Sequence, residues 1–309
     1  MMNDSGSAKP PSPPRLRSAN LPEIVDRPYT DPEPFLSGHP ILPEDMDIND
    51  FSLAQLHEMN QKLLEESMGA EGPLISWPED ISALRDEYSN LPDFVAQINT
   101  LSNQGYRTII RVKGDGDCFY RALAFIYLRQ LICSASARSL DQLSATKTVL
   151  ADAGFDEIAY DTPYDLVMGL VKSDSAGHEL WNTFTDQSTS NYIVMYMRLL
   201  TSAHIHLNQD FFSGFYQNIA SDSETSNPLA KFRRQFVEPL GKEADDIQVT
   251  ALVQALKFHV KIAYLDGRSP NGQVNFHDFG LDAGDAPGNS EPPVLLYRPG
   301  HYDILQKDA

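Results

Sequence analysis

The stretch Lys113-Gly-Asp-Gly-Asp-Cys-Phe-Tyr-Arg-Ala-Leu123 brings a thiol, two glycines and two aspartates together at one junction. The run before it, Tyr106-Arg-Thr-Ile-Ile-Arg-Val112, has the β-branched makeup of a strand. After it, Phe119 to Ile132 is almost free of helix breakers and rich in apolar helix formers. A strand, a tight turn, a cysteine and a helix in that order place Cys118 in the first helical turn. Unpaired backbone N–H groups and the positive end of the helix dipole favour a thiolate there. The Gly-Asp-Gly turn can aim main-chain N–H groups in front of the sulfur, where acyl transfer needs donors for a developing oxyanion. Asp115 and Asp117 work against this, because negative charge beside a thiol disfavours the thiolate. A nucleophile so placed needs a base from elsewhere in the chain.

Eight histidines could supply one: His39, His57, His178, His204, His206, His259, His277 and His301. His301 stands out because Asp303 follows two residues later. On a strand, both side chains project to one face, so the carboxylate can hold one imidazole nitrogen and leave the other for a thiol. On spacing alone the pair reads more readily as a surface pair, and spacing does not bring it to Cys118. His204 and His206, in Ala-His-Ile-His-Leu, read as one face of a strand; without a third His or Cys nearby they do not form a metal site.

Other elements must position these groups. Residues 1–46 are rich in proline and serine, a composition of disorder. Residues 47–79 hold an amphipathic helix, Asp50 to Met68, with Leu53, Leu56, Met59, Leu63 and Leu64 on one face, followed by a Gly72-Pro73 linker. From Ile81 to Gln104 a helix is expected in two pieces broken at Leu91-Pro92, and Ser134 to Ser144 reads as a polar turn. Helical patterns cover Thr146–Ala159, Tyr164–Lys172, Glu179–Thr201, Phe211–Ile219 and Ala244–Leu256. Strands follow at His259–Asp266 and Gln273–Phe276, and then Val294–Tyr297 and Tyr302–Leu305 form a hairpin across a four-residue connection.

With 309 residues, 41% of them hydrophobic, the chain can bury a full core. Its net charge of −19 is unsuited to nucleic acid, and no apolar run approaches the ~20 residues of a membrane span. Two cysteines do not make a disulfide framework, so a reducing cytoplasmic or nuclear compartment is expected. If one helix joins Cys118 to Cys133, its rise of ~1.5 Å per residue holds them roughly 22 Å apart, far beyond disulfide reach.

Gly114-Asp-Gly-Asp-Cys-Phe-Tyr-Arg-Ala122 and Arg298-Pro-Gly-His-Tyr-Asp-Ile-Leu305 resemble the Cys box and His box of the otubains, ovarian-tumour-type (OTU) cysteine proteases that remove ubiquitin. Leu199-Leu-Thr-Ser202, Val237-Glu-Pro239, Asp246 to Leu256 and the strand ending Tyr264-Leu-Asp266 resemble otubain segments in the same order. The resemblance covers roughly residues 80–309 as a catalytic domain. It implies an α+β, papain-like fold with a central β-sheet between helical layers. It makes Cys118 the nucleophile, His301 the general base and Asp303 its orienting partner. Asp115 matches the family aspartate whose backbone lines the oxyanion hole, formed by N–H groups of Asp115, Gly116, Asp117 and Cys118. Otubains usually carry Asn just before the Cys; here Asp117 adds a charge expected to weaken the thiolate.

The function implied is thiol-dependent hydrolysis of isopeptide bonds at the ubiquitin C-terminus, in polyubiquitin of the proteasome-directing linkage, by a monomer without cofactor or metal. Ubiquitin, polyubiquitin chains and ubiquitin-conjugating enzymes are the implied partners, and the segment 47–79 falls where otubains contact a second ubiquitin. The competing reading is a binder of ubiquitin or of a conjugating enzyme that blocks chain growth without cutting.

Overall fold

The computed structural model describes residues 72–134, 137–173, 175–216, 227–280 and 291–307. The tail and the amphipathic helix expected at residues 50–68 lie outside them.

Among the described residues six strands form one sheet in the order β1-β2-β6-β5-β3-β4. They are β1 (Glu79–Asp80), β2 (Tyr106–Ile110), β3 (Val260–Tyr264), β4 (Asn275–Phe279), β5 (Val294–Arg298) and β6 (His301–Lys307). Only β3 and β5 pair in parallel; the other pairs are antiparallel. Side chains alternate across the pleat and so feed two cores. Ile262, Leu295 and Ile304 join one buried cluster with helices on their face of the sheet, while Ala263, Leu296 and Leu305 join another on the opposite face.

The second cluster is closed by α1 (Ser82–Glu87) and α2 (Pro92–Asn103), through Leu84, Phe94, Ile98 and Leu101. Proline at the first position of α2 gives up an N–H that a helix start leaves unbonded in any case, which explains the break at Leu91-Pro92. The first and larger cluster belongs to α3 (Cys118–Ser134), α4 (Ala137–Asp152), α5 (Glu157–Lys172), α6 (Ala176–Thr185), α7 (Gln187–Leu207) and α10 (Asp246–Leu256). A smaller group, α8 (Gln209–Tyr216), α9 (Pro228–Phe232) and a π-helical turn (Arg233–Val237), packs Phe212, Leu229 and Val237 against Ile205. The architecture is the α+β arrangement of a sheet between helical layers. Every residue of α3 from Cys118 to Leu128 is buried, so this stretch is enclosed by the core on all sides, with Arg121 as its one charged residue.

Several boundaries differ from the sequence reading. The polar stretch after Ser134 is helical from Ala137, because Leu143 and Leu150 bury completely against the core and tertiary packing overrides the polar composition. The single helix expected over 179–201 is two, since Asp186 takes an extended conformation, ends α6 and caps α7 by accepting from the Thr189 N–H at 2.9 Å. His204 and His206 lie on helix α7 rather than on a strand. The Phe211–Ile219 segment is helical over Gln209–Tyr216, but only Phe212 of its phenylalanines is buried; Phe211 and Phe215 are exposed. The strand expected at 273–276 forms at Asn275–Phe279, paired in full with β3. The hairpin turn has two residues, Pro299-Gly300, and Gly300 takes φ +75°, the left-handed region that a glycine enters freely. The residues before β1, read as linker, also pack: Ile75 bridges to Val112 and is buried, and the Lys113 N–H donates to the Leu74 carbonyl at 3.0 Å.

Candidate active site

Cys118 is the first residue of α3 and is almost fully buried. Asp117, just outside the helix, already accepts the Arg121 N–H at its carbonyl, so the helix begins at the thiol. His301 opens β6, next to β2 in the sheet, and β2 leads through Val112 into the Gly-Asp-Gly turn before Cys118. The sheet thus joins two boxes separated by more than half the chain.

His301 Nε2 is 2.9 Å from Asp303 Oδ1, and both side chains are fully buried. His301 Nδ1 has no hydrogen-bond partner. Burial by itself would lower the His301 pKa, but the Asp303 carboxylate and the neighbouring Cys118 outweigh it and push the value up to about 9. The imidazole therefore favours its protonated form between a carboxylate on one side and the Cys118 sulfur on the other. Asp303 is held well below the usual carboxylate range: burial opposes this, and Arg298, His301 and the Val112 N–H overcome it. Its Oδ2 accepts from Arg298 Nη2 at 2.5 Å, and its Oδ1 also accepts the Val112 N–H at 2.9 Å. Arg298 is itself fully buried and reaches Glu87 Oε1 at 2.8 Å, while Arg111 holds Glu87 Oε2 at 2.6 Å.

The two aspartates of the turn face arginines. Asp115 Oδ1 accepts from Arg121 Nη1 at 2.9 Å and from the Asp117 N–H at 3.0 Å. Asp117 Oδ1 accepts from Arg198 Nε at 2.8 Å and Nη2 at 2.5 Å, and its Oδ2 takes the Gly241 N–H at 3.0 Å. The expectation that Asp117 presents an uncompensated charge to the thiol is corrected: a fully buried guanidinium neutralises it.

The four expected backbone donors divide into two pairs. The Asp115 N–H donates to the Lys113 carbonyl and the Asp117 N–H to Asp115 Oδ1, which removes both from an oxyanion site. Among the described residues no acceptor takes the N–H of Gly116 or Cys118, and these two remain. Gly116 has φ +80°, and a Cβ there would stand 2.5 Å from the Gly241 carbonyl oxygen, so only glycine fits.

Of the other histidines, His204 lies near the end of α7 and bonds Gln254 Oε1 at 3.1 Å, and His259 bonds Asp278 Oδ1 at 2.8 Å. Asp278 is an exposed residue of β4. Among the described residues no group of three or more His, Cys, Asp or Glu side chains could hold a metal ion. Both cysteines are free; Cys133 is exposed at the other end of α3.

The model of the peptidase C65 otubain family matches residues 67–307. The chain belongs to the otubain family. This otubain is 35% identical over 253 residues to the ubiquitin thioesterase OTUB1 of Homo sapiens, covering 80% of this chain and 88% of that protein. It is 33% identical over 266 residues to the ovarian tumor domain-containing deubiquitinating enzyme 1 of Arabidopsis thaliana, covering 80% and 85%. Among solved structures it is similar to a complex of OTUB1 with ubiquitin aldehyde and UBC13~Ub, with a TM-score of 0.64, 26% identity, and 82% of this chain and 97% of that chain covered.

Nothing local in the sequence marks Arg121, Arg298 or Glu87 as part of this site. A signal was available for Arg198, the one charged residue in the apolar run Tyr192 to Leu200 of α7. A lone charge in a buried helix needs a partner.

Proposed function

We propose that this otubain is a deubiquitinase that hydrolyses the isopeptide bond between the C-terminal glycine of ubiquitin and a lysine amine, with Cys118, His301 and Asp303 as its catalytic groups. The observation that carries the reading is the His301 imidazole, held by Asp303 through Nε2, with Nδ1 left unpartnered and Cys118 beside it. The relatives' names, ubiquitin thioesterase and deubiquitinating enzyme, support the substrate class.

In this mechanism the Cys118 thiolate attacks the scissile carbonyl carbon after its proton has passed to His301. The N–H groups of Gly116 and Cys118 receive the carbonyl oxygen as it becomes an oxyanion. Collapse breaks the C–N bond, His301 gives its proton to the leaving lysine amine, and a thioester remains. Water, deprotonated by His301, then displaces Cys118 and frees the ubiquitin carboxylate. Asp303 keeps the imidazole in the orientation and charge state that both halves require. The preferred substrate is polyubiquitin of the proteasome-directing linkage, as the otubain resemblance implies.

The competing reading, a binder of ubiquitin or of a conjugating enzyme, draws on the solved relatives in complex with ubiquitin aldehyde and the conjugating enzymes UBC13 and UBCH5B. An unpaired Asp117 charge beside the thiol would favour it, and Arg198 instead holds that carboxylate. The test is cleavage of a panel of linkage-defined di-ubiquitins by wild type, Cys118→Ala and His301→Ala. Mono-ubiquitin released by wild type alone supports the isopeptidase and its linkage. Binding without cleavage of any dimer would overturn it in favour of the binder.

A further inference from the structure

The Gly116–Asp117 peptide unit is held at both ends. Its carbonyl oxygen accepts from Arg198 Nη2 at 3.1 Å, and its N–H donates to Asp115 Oδ1, which Arg121 holds at 2.9 Å. Both guanidinium groups are fully buried and come from different helices, α3 and α7. Arg198 does more than face one carboxylate. Its Nη1 donates to the Val237 carbonyl at 3.0 Å and its Nη2 to the Lys242 carbonyl at 2.6 Å, and its guanidinium lies 4.1 Å from the centre of the Tyr120 ring. The backbone of residues 237–242 is therefore fastened to the same cation that fastens the nucleophile turn. Asp117 closes the arrangement by taking the Gly241 N–H.

The orientation of this one peptide decides which donors are free. Gly116, at φ +80°, lacks the Cβ that would restrict its ψ, so its own backbone does little to fix the direction of the 116–117 peptide and its contacts must do so. A flip would direct the Gly116 carbonyl oxygen, an acceptor, to the side where the Asp117 N–H now lies and would disturb the neighbouring Gly116 and Cys118 N–H groups. We propose that Arg198 is a positioning residue for the oxyanion site: with Arg121 acting through Asp115, it locks the Gly116–Asp117 peptide so that the Gly116 and Cys118 N–H groups stay presented to the reacting carbonyl. The Asp117 carboxylate serves this lock as the counter-ion that lets Arg198 be buried. This rests on the hydrolytic reading above and adds to it the residue that makes the site pre-formed.

The test compares two reactions of the same thiol in a Cys133→Ser background. Alkylation of Cys118 by iodoacetamide is a displacement at a saturated carbon and develops no oxyanion. Hydrolysis of a ubiquitin C-terminal fluorogenic amide does. In Arg198→Lys the charge remains but the forked geometry is lost. The expected result is a kcat about 10–100-fold lower with KM within a few-fold of wild type, on the scale of a misplaced oxyanion donor. The Cys118 alkylation rate is expected to stay within about threefold of wild type, since the thiol and its base are untouched. Unchanged kcat in Arg198→Lys, or a parallel loss of hydrolysis and alkylation, would overturn the proposal; the latter marks a purely structural role.

Should Arg198→Lys fail to fold, the double variant Arg198→Gln/Asp117→Asn carries the same comparison. It removes both charges together and leaves no orphaned ion in the core. Inactivity of the wild type itself would refute the hydrolytic reading, and that outcome is separate from wild-type activity matched by the variants.

Discussion

His301 and Asp303 stand two residues apart on β6, with Nε2 and Oδ1 separated by 2.9 Å and both side chains fully buried. A buried imidazole alone resists protonation; the carboxylate and the nearby Cys118 reverse that and raise His301 to about 9. In the proposed mechanism the protonated imidazole is the form that accompanies a thiolate and later gives its proton to the leaving amine. Activity is therefore expected to hold through neutral pH and to fall as pH rises through about 9. In Asp303→Asn the raising influence is removed, so the alkaline limb of kcat/KM should move to lower pH and kcat should drop by about 10²–10⁴-fold. A pH–rate profile of the two proteins measures both; an unmoved alkaline limb would refute the assignment of that limb to His301.

The same two groups set a pH window for stability. The folded pKa of His301 lies above its ordinary value of 6.5, so its contribution is fully present below 6.5 and is lost as pH rises through about 9. Asp303 has the opposite sign. Its folded pKa lies below the ordinary 3.8, so its contribution is present above that value and is lost as pH falls below it. Thermal melts across pH should fall off on both sides, and Asp303→Asn should flatten the acid side relative to wild type. An acid limb of equal steepness in the variant would show that other carboxylates dominate it.

Much of this site could be read from the chain. The Gly-Asp-Gly-Asp-Cys junction and the His-x-Asp pair follow from local rules: a strand, a turn that needs glycine, a helix start, and a period of two. What local rules cannot supply is the meeting of Cys118 with His301, because that depends on β2 and β6 pairing across nearly two hundred residues. The same limit hid the arginines. Arg298 lies inside the recognised His box, yet its partner Glu87 ends α1, 211 positions away in sequence. Asp117 looks like a liability in the sequence, which shows its charge and its neighbours but not Arg198, 81 positions on. Misplaced helix limits at Ser134–Ser144 and at Asp186 have a different cause, since burial of Leu143 and capping by Asp186 override local composition.

Arg298 joins Asp303 to Glu87, and Glu87 in turn to Arg111. All four side chains are buried or nearly so. Removing the central cation in Arg298→Leu leaves two carboxylates without their shared partner, and breaking such a buried arrangement from one side costs about 3–5 kcal/mol. Chemical denaturation should register that loss. The double variant Arg298→Leu/Glu87→Leu, which removes the facing carboxylate as well, should recover part of it, and a double-mutant cycle with no coupling would contradict the link.

Gly116 offers the sharpest steric test of the nucleophile turn. Its φ of +80° is costly for any residue with a Cβ, on the order of 1 kcal/mol by conformation alone. The larger obstacle is contact: a Cβ there would stand 2.5 Å from the Gly241 carbonyl oxygen and 2.6 Å from its carbon, both backbone atoms that cannot swing aside as a side chain tip would. Gly241 is fixed in turn, since its N–H is held by Asp117 Oδ2. Gly116→Ala must therefore push the nucleophile turn and the 237–242 backbone apart and disturb the donors at Gly116 and Cys118. Hydrolysis of a ubiquitin amide is expected to fall by at least about 10²-fold, the scale of a lost oxyanion donor, while the melting temperature falls by only a few degrees. Gly105→Ala serves as the control, because Gly105 shares a positive φ of +92° but has nothing within 4 Å of an added Cβ. It should show the conformational cost in the melt and leave kcat near wild type. Equal losses of kcat in the two variants would mean that the approach of Gly241 to the turn has no bearing on catalysis.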